Sequence, residues 1–96
     1  MNRIEINEKR LDLINESINE LNISLENFKN KKDEIIKLNK YYGSKEWFSD
    51  VDKHNAGKLG NIKAGVLSED AVWNMNENIS DLINEMEELI NNYRNK

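Results

Sequence analysis

The chain has 96 residues, 14 basic and 18 acidic side chains for a formal net charge of −4, no Cys, no Pro, one His and four Gly. That length suits a single domain spanning 1–96, and the absence of Cys excludes disulfides, thiolate nucleophiles and Cys-ligated metal or iron–sulfur sites. The lone His54 cannot form a His pair within one chain, no Walker-type or GxGxxG phosphate loop is present, no apolar run is long enough to span a membrane, and the charged opening MNRIEINEKR does not read as a signal peptide. No cofactor and no metal site are therefore expected, and the cytoplasm is the expected compartment.

Residues 2–40 lack Gly and Pro and predict one long helix. With Ile4 at heptad position a, the a series is Ile4, Leu11, Ile18, Leu25, Lys32 and Asn39, and the d series is Asn7, Ile14, Leu21, Phe28, Ile35 and Tyr42. From Leu11 to Phe28 the apolar run is unbroken, the spacing of a helix with one buried stripe. Such a helix would span roughly 55 Å and needs a partner, because propensity alone does not hold it. Leu21 and Leu25 are expected to be fully buried. Lys32 interrupts the seam while Ile36 and Leu38 shift the apolar face, so the packing should change near residue 32.

Residues 41–67, YYGSKEWFSDVDKHNAGKLGNIKAGVL, hold all four glycines and four of the seven aromatic residues: Tyr41, Tyr42, Trp47 and Phe48. Gly43 is a natural helix stop, and Ser44 can cap a short helix from Lys45 to near Lys53. Gly57 and Gly60 then open a loop. The segment is too aromatic for a solvated linker, and Tyr42, Trp47, Leu59, Val66 and Trp73 are expected to form a small second core over one end of the domain.

Residues 68–94 repeat the helical pattern through Val72, Met75, Ile79, Leu82, Met86, Leu89 and Tyr93. Ser68 is placed to cap this helix, with Glu69 and Asp70 opposing its dipole. The Asn-rich stretch 74–78 has poor propensity, and a break near 76–79 is one outcome it allows. The expected fold is all-α: a long antiparallel helical hairpin, coiled-coil-like, capped by a short helical connector.

The pattern YYGSxxWxxD, then GKL, then GVLSEDxV resembles an uncharacterised bacterial family of small helical proteins known only as a domain of unknown function. The matching residues are Tyr41, Tyr42, Gly43, Ser44, Trp47, Asp50, Gly57, Lys58, Leu59, Gly65, Val66, Leu67, Ser68, Glu69, Asp70 and Val72. The family pattern carries a basic residue where this chain has Ala64, preceded by Lys63, and a Pro near Gly60. The resemblance implies a fold and a marked region, without an activity.

Each polar candidate has a structural and a functional use. The aromatic cluster either closes the end of the fold or stacks a flat ligand. Asp50, Asp52, Glu69 and Asp70 either serve helix ends or bind a hard cation or act as paired carboxylates. His54 lacks a nucleophile partner and reads as a surface residue. The charge is uneven: zero net over 1–40, +1 over 41–67 and −5 over 68–96. An acidic last helix disfavours nucleic acid. The expected function is non-enzymatic: a small bacterial or phage-encoded binding protein acting through a protein partner or a homo-oligomer. Its contact residues would be Tyr41, Asp50, Lys58, Lys63, Glu69 and Asp70. Size and character alone suggest an inhibitor of a host defence enzyme encoded on a mobile element. The alternative is a nucleotide-like small-ligand module on the same connector. The longer first helix, with Ile4 and Leu11 on its seam, leads to the expectation of a dimer or higher oligomer.

Overall fold

A computed structural model describes residues 2–95 of the chain. It is all-α, with α1 at Arg3–Lys29, α2 at Lys32–Tyr41, α3 at Lys45–Asn55 and α4 at Ala71–Arg94; a single turn of 3-10 helix lies at Gly65–Leu67. No strand occurs among the described residues. The chain divides into two compact units, Met1–Ile36 and Lys37–Lys96.

The first unit starts at a side-chain cap. The Asn2 Oδ1 accepts the Glu5 N–H at 2.9 Å, supplying an acceptor for one of the orphan donors of the first turn. Asn7 turns its amide back onto the Arg3 carbonyl at 2.8 Å, and Arg10 donates to Asn7 Oδ1 at 3.1 Å. The helix expected over 2–40 is interrupted. The Asn30 N–H still donates to the Glu26 carbonyl at 3.1 Å, but the Lys31 N–H donates to the Phe28 carbonyl at 3.0 Å, a tighter turn than the α-helix makes. The interruption falls where Lys32 breaks the apolar seam; beyond it Leu38 is half-buried as expected, but Ile36 is exposed, and Ile35 and Tyr42 are half-buried on the original d series. Every described side chain from 2 to 34 is exposed. Leu21 and Leu25, expected to be fully buried, are 58% and 44% exposed. A stripe of this kind is buried only against a second apolar surface, and within the isolated chain these residues have none.

The second unit holds the core. Trp47 and Val72 are its buried apolar residues, 6% and 2% exposed. Around them Leu38, Tyr41, Tyr42, Val51, Leu59, Val66, Leu67, Met75 and Ile79 are half-buried. On α4 Val72 is buried and Met75 and Ile79 are half-buried, as the heptad expects, but its continuation at Leu82, Met86, Leu89 and Tyr93 is exposed; the helix runs unbroken through 74–78. Asn76 explains part of that continuity. Its amide exchanges hydrogen bonds with Asn39 of α2, Asn76 Nδ2 to Asn39 Oδ1 at 2.8 Å and Asn39 Nδ2 to Asn76 Oδ1 at 3.3 Å. Trp73, expected in the core, is 58% exposed. One residue is 100° of helix rotation, so once Val72 points inward Trp73 cannot.

Candidate functional site

The connector is built around Trp47. Gly43 ends the preceding helix at φ +78°, a conformation that suits glycine, and Ser44 Oγ accepts the Trp47 N–H at 3.2 Å to start α3. This places Trp47, Asp50 and Val51 on the inward face of α3. The indole Nε1 donates to the Val66 carbonyl at 3.0 Å, so the large ring is buried with its polar atom satisfied. Tyr42 and Phe48 meet the indole edge-on, with ring centroids 5.2 and 5.0 Å away. The Tyr42 hydroxyl donates to the Glu69 carbonyl at 2.5 Å and ties the end of α2 to the turn before α4. In that turn Ser68 Oγ accepts the Ala71 N–H at 3.1 Å.

Beside this core lies a cleft of about 200 Å³, lined by Tyr41, Asp50, Leu59, Ile62, Lys63, Ala64, Val66 and Leu67. The Tyr41 hydroxyl donates to Asp50 Oδ2 at 2.6 Å at its wall. That hydrogen bond, then desolvation and the carboxylate's negative charge, holds the Tyr41 phenol above its ordinary value of 10.0. The phenol is therefore a proton donor at neutral pH, and Asp50 is an oriented acceptor with lone pairs to spare. The cleft joins apolar walls to one fixed carboxylate and the ammonium of Lys63. Such a set can hold an apolar group with a polar or charged neighbour.

Three of the six expected contact residues, Tyr41, Asp50 and Lys63, meet at this cleft. The other three do not line it. Lys58 is exposed beyond Gly57. Glu69 contributes its backbone carbonyl to Tyr42, and the Asp70 carbonyl accepts the Asn74 N–H at 2.7 Å as α4 begins. The Asp70 side chain makes no capping hydrogen bond. Ile62 is a cleft residue that no sequence pattern singled out, while Ala64 and Leu67 were marked only by the family resemblance. They follow Gly57 and Gly60, whose φ values of +72° and +65° turn the chain back. No cluster of three or more His, Asp or Glu side chains able to hold a metal occurs among the described residues. Among those same residues, no helix is long and apolar enough to cross a membrane.

The family described as "Domain of unknown function (DUF4298)" matches residues 4–89. The chain belongs to this family. The match takes in both units and every residue of the cleft. No curated protein and no solved structure matches the chain.

Proposed function

We propose that this DUF4298 protein is a non-catalytic protein-binding module whose connector cleft receives one apolar side chain of a partner protein. The observation that supports this reading is the size and lining of the cleft. Pockets for small organic ligands run from about 300 to 1,000 Å³ and enclose most of the ligand. A space of about 200 Å³, walled by Leu59, Ile62, Val66 and Leu67, suits a side chain of leucine or phenylalanine size and is small for a nucleotide. Asp50, oriented by Tyr41, and Lys63 then give direction to polar groups flanking that side chain. This is the arrangement of an interface anchor: a buried apolar group with a polar rim.

In this reading the module is bacterial or phage-encoded, works in the cytoplasm, and is of a kind with small inhibitors of host enzymes carried on mobile elements. Affinity capture with the immobilised chain tests it. A partner retained by the wild type, and lost by both Lys63→Glu and Leu59→Asp with their helical spectra intact, is the expected result. A rise of several degrees in melting temperature with millimolar ATP, GTP or their diphosphates, removed by the same substitutions, would replace it with the small-ligand reading.

A further inference from the structure

The seam of α1 is a second surface, separate from the cleft. Six side chains repeat at a and d from Leu11 to Phe28, and all six are exposed. We propose that this seam is covered by the same seam of a second copy of the chain, running antiparallel, with the two-fold axis passing between Ile18 and Leu21.

The run itself points to that occupant. It opens on an a residue and closes on a d residue, so reversing it about its midpoint sets a against d throughout. Leu11 then meets Phe28 of the second copy, Ile14 meets Leu25, and Ile18 meets Leu21. Each layer is apolar on both sides, and the pairings recur in reverse order to give six layers. These are the a-to-d layers of an antiparallel coiled coil.

The flanking charges agree with the same register. In an antiparallel pair the e positions face one another, and here they are Glu8, Asn15, Asn22 and Lys29. Glu8 falls beside Lys29 of the second copy and Asn15 beside Asn22, so an ion pair and an amide pair each occur twice. Lys29 is available for the exchange: its Glu26 pairing within α1 is 3.7 Å long and well exposed, worth little. The g positions are neutral at the centre, where Ser17 falls beside Ser24. The one like-charge neighbour of this register, Lys31 opposite Arg10, lies in the turn after α1 and off its helical surface. Opposed helix dipoles add to the preference over a parallel pair.

The absence of Cys from the chain makes the register directly measurable. Leu11→Cys and Phe28→Cys chains are mixed in equal amounts and oxidised with copper phenanthroline. The antiparallel register predicts a cross-linked species joining one Leu11→Cys chain to one Phe28→Cys chain, and none from Leu11→Cys alone. Light scattering on the wild type predicts the mass of two chains at high micromolar concentration. Leu21→Glu should give the mass of one chain there, with the near-ultraviolet spectrum around Trp47 retained. A wild-type mass of one chain, a mass above two, or cross-linking of Leu11→Cys to itself would each overturn the proposal.

Discussion

Trp47 and Tyr41 lie close together, but they answer to different forces. The Trp47 ring is buried and its Nε1 is bonded to Val66. Trp47→Ala removes a large apolar group and leaves the Val66 carbonyl without its donor. It should destabilise the second unit by about 3–5 kcal/mol, read by urea denaturation, or prevent it from folding. Tyr41 is held by one hydrogen bond at the cleft wall. Its phenol is raised above 10.0, so its contribution to stability is complete below pH 10 and is lost as pH climbs through the folded-state value. Melting temperature plotted against pH from 8 to 11.5 should therefore fall at the alkaline end, and Tyr41→Phe should lack that Tyr41-dependent part of the fall. The pairing of Tyr41 with Asp50 was not legible in the order of residues. The two stand nine positions apart across a turn whose direction depends on Gly43.

Among the elements, helices were readable from their stripes and their caps. Gly43 and Ser44 marked the boundary between α2 and α3 where it occurs, and Gly43→Ala should cost about 1–2 kcal/mol because φ +78° disfavours any side chain. The interruption at Asn30 and Lys31 was signalled by Lys32 on the seam, but a change of stripe phase does not say whether the backbone follows it. The continuity of α4 went against local propensity. Asn76 spends its amide on Asn39 rather than on its own backbone, and a bond across two helices outweighs the few tenths of a kcal/mol by which Asn disfavours helix. Asn76→Ala should lower stability by about 1 kcal/mol in thermal or urea unfolding. Leu21→Ala carries a different expectation from the one its heptad position suggests. At concentrations where the chain is monomeric it should cost less than about 1 kcal/mol, since Leu21 is 58% exposed there. The larger cost, about 2–4 kcal/mol, belongs to an associated state in which the seam is covered.

Across the whole molecule the two units differ in how they are held. The second has a core, an aromatic cluster and hydrogen bonds distant in sequence; the first is a capped helix whose described side chains are exposed from 2 to 34. Native-state hydrogen exchange should show its slowest amides around Trp47 and Val72. Amides of α1 should exchange faster in dilute solution and slow down as concentration rises. The acidic residues Asp81 and Glu85 lie on α4 and do not line the cleft. Reversing both to Lys should leave partner binding within a few-fold, apart from a salt-dependent change in on-rate, measured by surface plasmon resonance.

Composition and periodicity alone determine that this chain is all-α, that its stripes run through Leu11–Phe28 and from Val72 to Tyr93, and that its aromatics gather in a connector opened by Gly43 and Ser44. These are local properties, set by helical repeat, backbone permission at glycine and side-chain capping. Tertiary structure decided which apolar residues are buried. Trp47 and Val72 have facing surfaces within the second unit and lose their water, while Leu21, Leu25 and Trp73 have the same hydrophobicity and keep it. It also decided which polar residues meet. Tyr41, Asp50 and Lys63 converge because Gly43 turns the chain between α2 and α3 and the left-handed Gly57 and Gly60 turn it back after α3, while Lys58, Glu69 and Asp70 do not line the cleft. Burial and convergence depend on where a second surface lies in space, and a one-dimensional pattern specifies only that one is needed.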